Sequence, residues 1–350
     1  MVLTRRHDRA VSLGWSWGGT LHRDLAQAPY TPLARRKAYR TEQILSSSLF
    51  RLYRCLGGDT TIPGNPNTLD TISRASASHY AVYLIIRGIE LMPDPYAVSP
   101  PNDPEKFMQD IVNADIGTNA WLVNDPILAS QVHERVGGCA NKLVRWAFEA
   151  QGLYAQPGVL TNAPGLSPNV DIYIADRRPT MDSGAQDYVD YGLGAYVPVS
   201  LEWDKAQKPS TDAPPLWHAA AAAITVSGAN IKVKVGNRGQ NAANGVTVSL
   251  WWHAWPISTD PPKWNDSGWT ACTPGVSAPQ NIASSATKTF GPFMHTPPAK
   301  RYILLAQATC GGDRANSDPA GGLPCASLPT PLVDLVAGDN NISLIVVKDP

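Results

Sequence analysis

Alternating apolar and polar residues run along positions 231–252 and predict two β-strands. From 231 to 235 an isoleucine and two valines alternate with two lysines, which sends the apolar side chains to one face. After a loop rich in glycine and asparagine, the alternation resumes with Val246, Val248 and Leu250. The pattern indicates a β-hairpin with one buried face, the unit from which antiparallel β-sandwiches are built.

The chain around this pair carries further short apolar runs with turn residues between them. Strand candidates are DIYIAD at 171–176, KTFGPFMH at 288–295, RYILLAQATC at 301–310 and NISLIVV at 341–347. They predict an immunoglobulin-like antiparallel β-sandwich over residues 169–350, preceded by a Pro- and Gly-rich linker at 155–168.

Helical periodicity dominates the chain before the linker. Leucines at 45, 49, 52 and 56 form one stripe, and the segment from Tyr80 to Ile89 is apolar almost all round, which places it at the centre of a helical domain. Asp103 and Pro104 are typical of a helix start, and a fourth helix is expected within 139–154. The predicted fold class is therefore α + β and multi-domain: an N-terminal all-α helical lobe over residues 1–154, followed by the sandwich.

Composition narrows the function classes. The 350 residues contain 29 Lys plus Arg and 29 Asp plus Glu, so no excess of positive charge points to nucleic acid. Charged residues make up only 17% of the chain, against about 25% in an average globular protein. The chain is also rich in proline, with 31 residues, and in tryptophan, with 11. This mixture is typical of extracellular or cell-surface modules. We find no apolar run of signal-peptide length at the N-terminus and no transmembrane segment.

The five cysteines divide between the two halves of the sequence. Cys310 and Cys325 flank one loop and are the disulfide candidate, and closing that loop would contribute about 3 kcal/mol by chain entropy. Cys55 and Cys139 fall on predicted helices, where a buried small apolar side chain is the simpler interpretation.

Several segments of the β half resemble the CARDB-like, immunoglobulin-like adhesion modules of bacterial surface and secreted proteins. They are VKVGNRG, NGVTVSLWW and GDNNISL. The helical half, through RRHDRAVSLGWSWGG, YAVYLIIRGI and GGCANKLVRWAFEAQGLY, resembles the C-terminal helical lobe of thermolysin-like zinc metallopeptidases. In those enzymes a later histidine stabilises the transition state, and the resemblance implies that role for His7.

The chain departs from that family at the zinc site. Its only His-Glu pair is His133-Glu134, and the second metal-binding histidine of H-E-x-x-H is missing. We therefore expect no metal ligands and no cofactor in this chain, with zinc present only if an upstream protease domain supplies the ligands. The simpler interpretation of His7, beside Asp8, is a solvated basic segment.

Two further features leave alternatives open. Side chains alternate between the faces of a strand, and Leu250 is predicted to point inward. Trp251 and Trp255 are therefore expected on the outer face of the second strand. There they are either a ligand-binding surface for a glycan or protein or anchors beneath the loop that follows. The acidic run at 176–190 is either a calcium site or, as we favour, a solvated loop.

Two functions follow as expectations. The first is the non-catalytic C-terminal portion of a thermolysin-like metallopeptidase-type protein with an accessory sandwich. The second is a stand-alone binding or structural protein that recognises a protein or glycan through the sandwich. The first requires a large exposed apolar patch on the helical half, where the upstream domain would dock.

Overall fold

The structure of the chain is a computed structural model. The structure describes residues 45, 48–50, 52–58, 61–62, 65–69, 71–92, 104–117, 120–121, 135–149, 169–174, 223–237, 239–256, 262–296 and 301–348. His7, the pair His133-Glu134, the linker at 155–168 and the acidic run at 176–190 lie outside these residues. The domain boundaries predicted above therefore stay a prediction.

The described part before residue 150 contains helical residues at 45, 48–50 and 52–53, three longer α-helices and two short β-hairpins. The helices are α1 (Thr71–Leu91), α2 (Pro104–Ile116) and α3 (Asn141–Glu149), and a π-helical turn at Arg54–Gly58 precedes them. The hairpins pair β1 (Thr61–Ile62) with β2 (Asn65–Leu69) and β3 (Ala120–Trp121) with β4 (Arg135–Val136). The helices share a core that includes Tyr80, Leu84, Ile111, Val144 and Phe148.

The prediction of a large N-terminal all-α lobe is wrong. Short strands interrupt the helices, and β4 leads directly into a buried turn and α3, both of which contact the β-rich part of the chain. The error has a physical cause, because residues that pack against a sheet carry the same apolar spacing as residues that pack within a helical bundle.

The rest of the described chain is dominated by one antiparallel sheet. Its strand order is β15-β13-β8-β10-β12-β7-β5, with β11 paired to β8 and β6 to β7. Strand bounds are β5 Ile172–Ile174, β6 Ile224–Ser227, β7 Asn230–Asn237, β8 Ala243–Ala254, β10 Thr270–Val276, β11 Gln280–Ile282, β12 Thr287–Met294, β13 Arg301–Thr309 and β15 Ile342–Lys348.

This sheet curls until its ends nearly meet. The amide of Ile174, at the end of β5, donates to the carbonyl of Asn340, just before β15, with an N···O distance of 2.9 Å. The β half is therefore a nearly closed, barrel-like antiparallel sheet, and the finer prediction of an immunoglobulin-like two-sheet sandwich is corrected by this connection.

The predicted strands of 231–252 exist, but they do not form a hairpin. The alternating apolar residues are fully buried inside the barrel, as their pattern predicts: Ile231, Val233 and Val235 on β7, and Val246, Val248 and Leu250 on β8. However, β7 pairs with β12, β6 and β5, whereas β8 pairs with β13, β10 and β11. The side chain of Asn237 fixes the crossing between them, because its amide nitrogen donates to the carbonyls of Asn241 and Ile282 at 2.8 and 3.1 Å.

A second apolar core lies on the outer side of β8, β13 and β15. It is covered by short elements that follow β8 and β13: β9 (Lys263–Trp264), α4 (Pro324–Ser327), β14 (Thr330–Pro331) and α5 (Leu332–Ala337). Leu332, Leu335 and Val336 of α5 face this core, a helical spacing of three and four. Strand β13 is consequently buried on both faces.

None of the helices in the described ranges has both the length and the apolar character that a membrane crossing requires.

Candidate functional sites: the α1 face, the polar junction and the aromatic row

The outer face of α1 carries exposed apolar side chains. Val82, Ile86 and Ile89 repeat at helical spacing, and their exposed fractions are 50%, 61% and 47%. Ile72 is exposed on the same side near the start of the helix, whereas Leu91 is exposed at its end on another side. We call Ile72, Val82, Ile86 and Ile89 the α1 face. The prediction that this helix lies at the centre of a helical domain is corrected, because among the described residues only its Tyr80 and Leu84 side packs into a core.

A groove between the C-terminal halves of α1 and α2 adjoins this face. Its volume is about 470 Å³, and its walls include Tyr83, Ile86, Leu91 and Ala114. Arg87 and Glu90 form an exposed ion pair at its edge. Its volume is of the order that a small ligand or a few side chains of another protein occupy. Its lining is mixed, with apolar side chains beside Asn113 and the Arg87–Glu90 pair.

A buried polar junction joins the helical part to the barrel. Arg135 of β4 donates to Asp334 of α5 with an N···O distance of 3.1 Å and to the carbonyl of Leu56 at 2.8 Å. Its guanidinium also lies over the ring of Tyr80, 5.3 Å from the centroid. Beside these groups is a cleft of about 10 Å³, room for about one water molecule.

Asp115 is the titratable centre of the helical side of the junction. Its carboxylate accepts hydrogen bonds from the hydroxyl of Tyr80 at 2.6 Å and from the amide of Ala140 at 3.0 Å. Burial raises the pKa of Asp115 to about 7, although both hydrogen bonds act in the opposite direction. Burial likewise raises the pKa of Tyr80 well above its ordinary value.

Lys142 of α3 forms a second buried link to the barrel. Its ammonium lies 2.8 Å from a carboxylate oxygen of Asp313 and 2.8 Å from one of Asp339. Burial alone would lower the pKa of Lys142, but the two carboxylates outweigh burial and raise it. Burial raises the pKa of Asp313 to about 6, despite the neighbouring ammonium. The second carboxylate oxygen of Asp313 accepts a hydrogen bond from the amide of Ile172. The Lys142–Asp313 pair therefore also holds the edge strand β5 in place.

A row of aromatic rings lies on the outer side of β8. Trp251 meets Trp264 edge to face with centroids 4.9 Å apart, and Trp269 continues the row 5.4 Å from Trp264. Trp251 is half-buried, whereas Trp255 is fully buried, with the guanidinium of Arg301 3.9 Å from its ring centroid. The sequence parity is confirmed, but this face of the strand is largely covered by protein. Ligand binding by Trp251 and Trp255 stays a prediction.

All five cysteines are buried thiols in the structure. The predicted Cys310–Cys325 disulfide is not formed: Cys310 Sγ donates to the carbonyl of Asp313 at 3.7 Å, and Cys325 Sγ donates to that of Asn316 at 3.4 Å. The thiol in side-chain contact with Cys325 is instead Cys139, from the turn before α3.

Among the described residues, no group of three or more His, Cys, Asp and Glu side chains is arranged to hold a metal ion. His253 lies against Trp269. Nε2 of His295 shares a hydrogen bond of 2.7 Å with the hydroxyl of Tyr302. Sequence reasoning missed the polar junction, since Arg135 and Asp334 are 199 positions apart.

Comparison of the chain with protein-family models and with curated proteins finds no match. The resemblance to a metallopeptidase lobe and to CARDB-like modules therefore stays a prediction.

Proposed function

We propose that this chain is a structural protein that assembles with itself through the α1 face. The observation that carries the proposal is the exposure of Val82, Ile86 and Ile89 as one stripe beside an open groove. Contiguous apolar surface of this kind marks interaction sites, because water leaves it when a partner covers it.

The charges of the chain favour a second copy of the same chain as the partner that covers the α1 face. The formal net charge is +0, so two copies meet without long-range repulsion. Arg87 and Glu90 stand on the same edge of α1, and a twofold axis lets each of them face the opposite charge of the other copy. Twofold dimers are also the commonest soluble assemblies.

The stripe matches helix-to-helix packing in its dimensions. From Ile72 to Ile89 the helix rises about 26 Å, enough for two antiparallel copies to bury the four residues of the α1 face against each other. An upstream domain, as the peptidase-type hypothesis requires, would compete for the same surface.

The experiment measures the mass of the purified chain in solution by size-exclusion chromatography with light scattering, over a range of concentrations. The wild type should form a dimer, and Ile86→Glu should be monomeric because a buried carboxylate would be unpaired at the interface. Val276→Glu is the matched control: Val276 is 54% exposed but lies on β10 of the barrel, so this variant should remain dimeric.

A wild-type chain that stays monomeric at the highest concentration overturns self-assembly. Dimers that persist in Ile86→Glu but dissociate in Val276→Glu overturn it as well, because they assign the interface to the barrel.

A further inference from the structure

Cys139 and Cys325 approach each other where the helical part meets the outer core. The amide of Cys325 donates to the carbonyl of Gly137 at 3.0 Å, which fixes the start of α4 against the turn before α3. A β-carbon placed on Gly138 would lie 3.3 Å from Cys325 Sγ, so the turn passes directly over this thiol. Both cysteines belong to the same buried cluster, and their side chains are in contact.

We propose that Cys139 and Cys325 are a redox pair that forms a disulfide when the chain meets a low-molecular-weight disulfide oxidant. The bond would connect the turn before α3 with α4 and so lock the helical part onto the outer face of the barrel. It differs from the Cys310–Cys325 pairing that the sequence favours, and it does not depend on self-assembly.

The chemistry is thiol–disulfide exchange. One thiol loses its proton and attacks a sulfur of the oxidant, which releases one small thiol and leaves a mixed disulfide. The second thiol then attacks the protein sulfur, the intramolecular bond forms, and the second small thiol departs. Two protein thiols are oxidised by two electrons, and one small disulfide is reduced to two thiols.

Burial controls the rate of this exchange. It raises the pKa of Cys139 well above the ordinary value, and the neighbouring Cys325 adds to the rise. The thiolate of Cys139 is therefore scarce in the folded chain, and attack by this sulfur should be slow at neutral pH and faster in mild alkali. Cys310 is also buried, but it belongs to the core inside the barrel, whereas Cys139 and Cys325 belong to the outer core.

The experiment treats the purified full chain with excess oxidised glutathione at about pH 8.5 and maps its tryptic peptides without reduction. Cleavage places Cys139 in peptide 136–142, Cys325 in 315–348, Cys310 in 302–314 and Cys55 in 55–74. We expect 136–142 linked to 315–348, with the link lost after dithiothreitol. The oxidised chain should melt about 5 °C higher, because the cross-link restricts the unfolded chain.

Variants separate this pairing from its competitors. Cys310→Ser should retain the link, and Cys139→Ser should abolish it. The peptide map of the wild type tests the Cys139–Cys325 pairing even if a variant fails to fold. The inference is overturned if 315–348 is linked to 302–314 or if 136–142 is linked to 55–74. It is equally overturned if the wild type carries only glutathione adducts or remains fully reduced.

Discussion

Arg135 and Asp334 form a buried ion pair across the boundary between the helical part and the barrel. The N···O distance is 3.1 Å, and their side chains are 5% and 2% exposed. Arg135 belongs to β4, and Asp334 belongs to α5, which covers the outer face of the sheet. This pair holds the helices and the barrel to each other.

Removing one partner of this pair should be costly. In Asp334→Ala the buried guanidinium of Arg135 loses its counter-charge, so we expect the free energy of unfolding to fall by about 3–5 kcal/mol. Urea denaturation measures this change. The double variant Arg135→Met, Asp334→Leu should recover much of the loss, and a double variant less stable than Asp334→Ala would contradict this explanation.

Gly338 lies where the two parts approach each other closely. A β-carbon at this position would lie 2.0 Å from the carbonyl oxygen of Cys139, which is backbone and has little room to move. We expect Gly338→Ala to lower the free energy of unfolding by about 2 kcal/mol or more. Gly311→Ala is the control, since no atom lies within 4 Å of its added carbon, and equal losses in the two variants would refute the contact.

The carboxyl of Asp115 should make stability depend on pH. Burial raises its pKa from the ordinary value of 3.8 to about 7. Its contribution to stability is therefore complete below the pKa of the unfolded chain and is lost as the pH rises through the pKa of the folded chain. We expect the free energy of unfolding to fall between pH 4 and pH 7 by an amount on the order of 4 kcal/mol from this group.

Asp115→Asn tests this assignment. Because the amide does not ionise, the fall between about pH 4 and pH 7 should become shallower than in the wild type, with the part due to Asp313 remaining. An unchanged slope in Asp115→Asn would show that this carboxyl already titrates normally.

The two tryptophans predicted as ligand-binding residues should differ in their effect on stability. Trp255 is fully buried beneath Arg301, so we expect Trp255→Ala to cost about 3–5 kcal/mol. Trp251 is half-buried beside Trp264, and Trp251→Ala should cost about 1–2 kcal/mol. Thermal and urea unfolding measure both, and a Trp255→Ala variant of unchanged stability would return that residue to the role of a surface ligand-binding group.

Sequence alternation predicted which faces of β7 and β8 are buried, but not which strands they pair with. Alternation fixes the side to which Val233 and Val248 point, whereas the pairing depends on where the connecting loop leads. Here Asn237 bonds to the carbonyl of Ile282, 45 positions away, and directs the chain across the barrel. The loop composition that predicted a hairpin contains no information on that distant carbonyl.

Periodicity also failed to separate the two environments of α1. Val82, Ile86 and Leu84 are equally apolar in sequence, yet only Leu84 is buried within the described part of the chain. A helix that is apolar all round is expected both at the centre of a domain and at an interface between chains. The cysteine pairing was beyond reach for a related reason, since Cys139 and Cys325 come together only through the fold.

The most direct test of self-assembly identifies which surface two copies share. Tyr83 lines the groove, and a photoreactive benzoylphenylalanine can replace it. The purified chain is then illuminated, and the cross-linked peptides are mapped. We expect covalent dimers in which peptide 75–87 is joined to residues of α1 from a second copy, whereas the same group at the exposed Met294 gives none. Products that remain monomeric, or that join Tyr83 to the barrel of the second copy, would contradict the α1 face as the interface.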